Sequence, residues 1–227
     1  MNIHDFRIVG GDTDSIMFCK PDMAPFSKDE QAALLLEINS LLPKEIKFAN
    51  DGIFPKVLYL KAKNYIMIDE KGKRKMKGSS LKSSTMEPAL KEMLGEFIDA
   101  LLNDQQELLP AIYDKYIQKA LNITDIKPWS KKMTLSPVTF KSIRKNETKV
   151  IDAIKGSEYG SGDRIFVYSR PDDTLQLSER FDGIYDVDTY LEKVYKTTQR
   201  FETIIPVKEM FPNYALKKNK KLLEELK

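Results

Sequence analysis

Between two short β-prone runs, Arg7–Val9 and Ser15–Cys19, the chain carries Gly10-Gly11-Asp12-Thr13-Asp14. Two carboxylates at i and i+2 on the tip of a tight turn project toward a common space. Phosphoryl transfer uses such a donor set. Mg²⁺ takes oxygen ligands and keeps several waters, so one or two carboxylates serve each ion. Two such ions stabilise the attacking and leaving oxygens of an in-line displacement. Asp, Gly and Thr are also ordinary turn formers, and the string alone fits a solvated turn equally well. His4 is the single histidine and Cys19 the single cysteine. That excludes His-based triads, HExxH metal sites and an internal disulfide, and argues against a Cys-rich zinc site. Any metal the chain holds is held by carboxylates.

Charge supplies the second chemical signal. The 227 residues carry a formal net charge of only +3. Yet residues 61–82 carry +6, residues 127–149 another +6 and residues 213–227 +3, so the remainder carries −12. Segregated basic faces point to a polyanionic partner. Most Lys-rich segments are solvated faces; beside the acidic tip, residues 61–82 are read as a nucleic-acid contact.

The elements that must position these groups follow from periodicity. The two β-prone runs and the turn between them predict a β-hairpin. Ser27 to Glu30 fits a capping box, and Ala32, Leu35, Leu36, Ile38, Leu41 and Leu42 follow at near-helical spacing before Pro43. Val57–Leu60 and Tyr65–Ile68 read as strands, with a turn at Asp69–Gly72. A second capping box, Ser84 to Glu87, precedes an amphipathic helix through Leu90, Met93, Leu94, Phe97, Ile98, Leu101 and Leu102. Leu108–Leu121 and Val187–Phe201 read as further helices, Trp129–Thr148 as a polar basic segment, and Arg164–Tyr168 as a strand. The fold class is α+β: an α+β piece to about residue 85, then a mainly helical piece with a small β insertion. With 41 % apolar and 31 % charged residues the composition is globular. No apolar run approaches membrane-spanning length and the N-terminus lacks a secretory pattern, which predicts a soluble, cytoplasmic protein, in an infected host cell if viral.

The Asp12-Thr13-Asp14-Ser15 tip between apolar strands resembles the Asp-Thr-Asp-Ser motif of family B DNA polymerases. Lys63-Asn64-Tyr65 is similar to the family's Lys-x-Tyr signature, in the same order along the chain. The segment Lys75 to Thr85, with Gly78, resembles the basic stretch before the family's thumb. Its Lys-Ser-Ser-Thr end and the Pro that follows look most like the replicative polymerases of T-even-type bacteriophages. Beyond residue 86 the order of features is similar to a thumb. Gly10 stands where the family often has Tyr, Asn64 where Lys or Arg is frequent, and Lys82 where Arg is common.

The resemblance implies a C-terminal half of a palm at 1–85 and a thumb at 86–227. It implies Asp14 as main Mg²⁺ ligand and Asp12 as support for the metal site and primer end, with Thr13 and Ser15 shaping the turn. Lys63 and Tyr65 would meet the primer–template end; Lys77, Lys82 and Ser83 would hold primer-strand phosphates. The implied substrates are primer–template DNA and deoxynucleoside triphosphates. The family's upstream palm Asp motif, its finger-helix Lys…Asn-Ser-x-Tyr-Gly string and its exonuclease acids are not found in these residues. The expectation is therefore one half of a split polymerase, inactive alone and completed by an N-terminal partner chain. A sliding clamp is a candidate partner for the lysine-rich tail, against the plainer reading of an exposed amphipathic end. The alternatives are a non-catalytic duplex-binding protein and a carboxylate-metal nuclease. Helical spacing assigns Tyr190 and Tyr195 to core, Trp129 stands open between DNA contact and packing, and Cys19 is expected to be buried.

Overall fold

The structure is a computed structural model that describes residues 6–78, 81, 85–142, 144–216 and 224. It divides into two units, Met1–Lys82 and Ser83–Lys227. Small antiparallel sheets and several helices make the chain α+β.

In the first unit β1 (Arg7–Asp12) and β2 (Ser15–Cys19) form the expected hairpin, and Asp12 pairs with Ser15 so that Thr13 and Asp14 make the turn. α1 (Lys28–Ser40) starts at the expected capping box: the Ser27 hydroxyl accepts from the Glu30 N–H at 3.2 Å, and the Ser27 N–H donates to Glu30 Oε2 at 2.7 Å. Lys20, just past β2, donates to the same Glu30 carboxylate at 2.7 Å. That hydrogen bond and the cap hold the Glu30 carboxyl below its ordinary range. Rings of Phe6, Phe18 and Phe26 cluster beside it, with centroids 5.4–5.8 Å apart. The apolar set of α1 does not form a core face. Leu34 is its one buried residue, and Leu36 is 75 % exposed. The apolar residues run around the helix, so one packing surface cannot cover them.

β3 (Lys56–Lys61), β4 (Asn64–Ile68) and β5 (Arg74–Lys77) form a separate sheet in that order. Leu60, Asn64, Tyr65, Ile66 and Met67 are its buried residues. β5 falls within the segment read from sequence as basic. Its Lys75-Met76-Lys77 alternation turns Met76 inward opposite Ile66 and leaves both lysines exposed, and lysines on an edge strand discourage further pairing. The Asp69–Gly72 turn forms as expected: Asp69 Oδ1 accepts from the Lys71 and Lys73 N–H groups at 3.0 and 2.8 Å.

The second unit is built on α2 (Pro88–Leu102), α3 (Leu109–Leu121) and α6 (Val187–Thr198), which pack on one another. Phe97, Tyr113, Phe201 and Phe211 interlock at centroid distances of 5.0–5.6 Å. The Tyr113 hydroxyl donates to the Pro212 carbonyl at 2.6 Å. The Tyr185 hydroxyl donates to the end of α3, lying 2.8 Å from the Leu121 carbonyl and 3.1 Å from that of Ala120, groups a helix cannot satisfy internally. Pro88 opens α2 directly after Glu87, whose side chain caps nothing. The expected Ser84–Glu87 box involves Ser84, which lies outside the described residues; the buried Glu87 carboxylate accepts from Lys193 at 2.8 Å.

Between α3 and α6 lies the β insertion. β6 (Lys131–Thr134), β7 (Arg164–Ser169) and β8 (Leu175–Leu177) make an antiparallel sheet, with α4 (Pro137–Lys141) and α5 (Lys145–Ala153) between its first two strands. Leu135, Val150, Ile154, Ile165, Val167 and Leu177 form its own core. The polar segment 129–148 thus carries a strand, α4 and the start of α5, with Met133, Leu135 and Val150 seated on this core. A last helical turn, α7 (Val207–Met210), precedes Phe211.

Candidate active site

The hairpin apex is closed by the Asp14 N–H donating to the Asp12 carbonyl at 2.7 Å, across a Thr13 whose φ is +56°. A β-branched residue there is strained, a conformation that persists only where its surroundings impose it. Thr13 Oγ1 donates to Asp12 Oδ1 at 3.1 Å, and Ser15 Oγ to the Asp12 carbonyl at 3.0 Å. Asp12 is half-buried, while Asp14 is exposed and no side chain among the described residues holds its carboxylate.

The three-stranded sheet reaches this apex with one row of side chains. Tyr59, Tyr65 and Lys77 stand directly across from one another on β3, β4 and β5. The Tyr65 hydroxyl points at Asp12 Oδ2, 3.5 Å away, and the Tyr59 hydroxyl donates to the Gly11 carbonyl at 3.3 Å. Burial first, then the neighbouring Asp12 charge, push the Tyr65 phenol above its ordinary range. The sequence expectation places Tyr65 at a primer–template end. The residue is 5 % exposed and its hydroxyl is turned to Asp12.

Lys63 sits at the exposed β3–β4 turn with φ +61°. Asn64 is buried there and its amide donates to the Ala62 carbonyl at 3.0 Å, a turn-forming role. Gly78 packs against this turn. A Cβ on it would lie 2.3 Å from Asn64 Oδ1 and 2.4 Å from the Lys63 carbonyl. Lys77 is exposed at the end of β5. Lys82 and Ser83 lie outside the described residues, as do His4 and most of the lysine-rich tail. The structure thus brings Asp12, Tyr65 and Lys77 to one face. Sequence reasoning missed Tyr59: only the empty space at Gly10 signals it, and that is invisible without the fold.

Carboxylate oxygens at one apex, those of Asp14 exposed, fit part of a divalent-cation site. Among the described residues no group of three His, Cys, Asp or Glu side chains could hold a metal. In the second unit Trp129 is buried, edge-on to Tyr190 at 5.9 Å, and is packing. Tyr190 is wholly buried, whereas Tyr195 and Cys19 are half-buried. Lys145 and Lys149 are tied to Asp173, whereas Lys131, Lys132, Lys141 and Arg144 make no ion pair among the described residues.

The family model described as DNA polymerase family B matches residues 1–212. A DNA polymerase of Paramecium bursaria Chlorella virus NY2A is 28 % identical over 195 residues, covering 77 % of this chain and 21 % of that protein. The solved family B DNA polymerase of the hyperthermophilic archaeon Pyrobaculum calidifontis superposes with a TM-score of 0.65 at 16 % identity, over 88 % of this chain and 27 % of its own. The chain thus spans about a fifth of its viral relative's length and about a quarter of the archaeal enzyme's. A hairpin with acidic apex, the Lys-x-Tyr strand set against it and a family match over nearly the whole length agree: the chain belongs to DNA polymerase family B.

Proposed function

We propose that this chain is the acidic-hairpin and DNA-gripping part of a DNA-directed DNA polymerase that adds deoxynucleotides to a primer 3′ end. In this reading residues 1–85 are the C-terminal half of the palm and residues 86–227 the thumb. The observation that carries it is the hairpin apex, where the Tyr65 hydroxyl faces Asp12 while Asp14 is exposed and its carboxylate has no partner among the described residues. Mg²⁺, when bound, would neutralise charge developing on the transferred phosphoryl group and on the attacking and leaving oxygens. Asp14 is then the main ligand, and Asp12 supports the site and the primer terminus. Lys63, on its exposed turn, reaches the minor-groove edge or the backbone. Lys77, with Lys82 and Ser83, holds primer-strand phosphates. Phosphate contacts fix register without reading sequence, which suits an enzyme that must copy any template.

Two acids on one hairpin cannot complete a two-metal site. The remaining palm Asp, the fingers and the exonuclease come from the rest of the polymerase, as a separate N-terminal chain in the split reading. The length covered in the viral and archaeal polymerases supports this. So does exposed apolar surface in the first unit, where Ile8 is 72 %, Ile16 55 % and Leu36 75 % exposed, since such patches mark interaction sites.

Primer extension with Mg²⁺ and the four deoxynucleoside triphosphates tests the proposal. The chain alone is expected to be inactive, and joined by the rest of the polymerase to extend. Asp14→Asn then abolishes extension while sparing duplex binding. Robust extension by the chain alone refutes the need for a partner. If Asp14→Asn spares both activities, the chain is a non-catalytic duplex-binding protein. Mg²⁺-dependent degradation of DNA without nucleotides marks a nuclease.

A further inference from the structure

Gly10 sits on β1, two residues before Asp12, and its missing side chain leaves a space that another residue fills. A Cβ there would lie 2.3 Å from Tyr59 Cε2 and 2.7 Å from Tyr59 Cζ. The Tyr59 ring therefore lies directly on the hairpin backbone. The ring also stacks on Tyr65, with centroids 5.7 Å apart and planes 8° from parallel. Its hydroxyl donates to the Gly11 carbonyl at 3.3 Å, on the residue immediately before Asp12. One ring thus touches the hairpin at Gly10 and Gly11 and touches the residue that faces Asp12. A cross-strand aromatic pair of this kind is stiff, and stacking beyond simple burial adds to it.

We propose that Tyr59 is a positioning residue for the acidic apex: packed into the space left by Gly10 and stacked on Tyr65, it sets the height and direction at which the Asp12 carboxylate meets the Tyr65 hydroxyl. Gly10 and Tyr59 act as a pair, because a side chain on the first excludes the ring of the second. The functional meaning rests on the reading of Asp12 as part of a metal and primer site. The geometry does not.

The test uses the full chain labelled at tyrosine ¹³Cζ. The readout is the response of the Tyr65 signal to Asp12→Asn: with its hydroxyl turned to Asp12 Oδ2, Tyr65 is expected to shift when that carboxylate becomes an amide. Tyr59→Phe keeps the ring and is expected to retain that response. Tyr59→Leu loses the stack and is expected to lose about half of the response or more, a coupling between groups that do not share a bond. A Tyr59 that only stabilises the fold would lower the melting temperature and leave the response intact, and that result overturns the proposal. Should Tyr59→Leu fail to fold, Gly10→Ala displaces the ring from the other side: loss of the response supports the pairing, and an unchanged response contradicts it. Because no catalysis is read, failure here leaves the Asp14→Asn extension result standing, and the reverse also holds.

Discussion

The Tyr65 hydroxyl and the Asp12 carboxylate lie 3.5 Å apart although 53 positions separate them in the chain. The contact ties the Lys-x-Tyr strand to the acidic hairpin, and it is long for an O–H donor. Tyr65→Phe removes the hydroxyl and keeps the stack on Tyr59. The expected loss is about 1 kcal/mol or less, near the low end for a hydrogen bond, read by urea unfolding at neutral pH. The variant should also flatten the alkaline limb. Tyr65 is neutral in the fold and its phenol is pushed up. Its share of stability is therefore present below the unfolded phenol range near pH 10 and is lost as pH rises above it.

Gly78 has φ +105° and no room for a side chain beside Asn64 and Lys63. Gly78→Ala meets both a forbidden backbone region and two close oxygens. A destabilisation of about 1–3 kcal/mol is expected, with chemical shifts moving at 62–65. An unchanged melt would mean that this turn yields easily.

Lys63 holds a left-handed conformation that costs an L-residue about 1–2 kcal/mol, at φ +61°. Lys63→Gly should therefore raise stability while weakening duplex binding. The slope of log K against log salt should fall by about one. Binding titrations at several salt concentrations check this, and an unchanged slope removes Lys63 from the phosphate contacts.

Asp173 is held down to about 2 by its hydrogen bond with Lys149 and then by Lys145. A depressed carboxyl stabilises the fold above its unfolded value and loses that share as pH falls through the folded one. The wild type should melt above Asp173→Asn at pH values over about 4, and the difference should vanish toward pH 2.

The hairpin and the strands at 57–60 and 65–68 were legible because alternation and turn residues are local signals. The helices of the second unit were legible by period. What stayed hidden depends on distant packing. Lys75-Met76-Lys77 becomes a strand only because Ile66 stands opposite Met76. Trp129 among lysines gives no sign that Tyr190 receives its edge. The apolar positions of α1 suggest a core, yet Leu36 faces out. At the site, the acids and Lys63 were readable as a motif. Tyr59 was not, since nothing local to Gly10 names the ring that fills its space.

The central claim is that the Asp12–Asp14 apex receives a divalent cation. Mn²⁺ titrated into the ¹⁵N-labelled chain tests it most directly, since a paramagnetic ion broadens the amides nearest to it. The account predicts that the amides of Asp12 through Ser15 broaden first, and that Asp14→Asn abolishes the effect. Broadening centred elsewhere, or unchanged in Asp14→Asn, would contradict it.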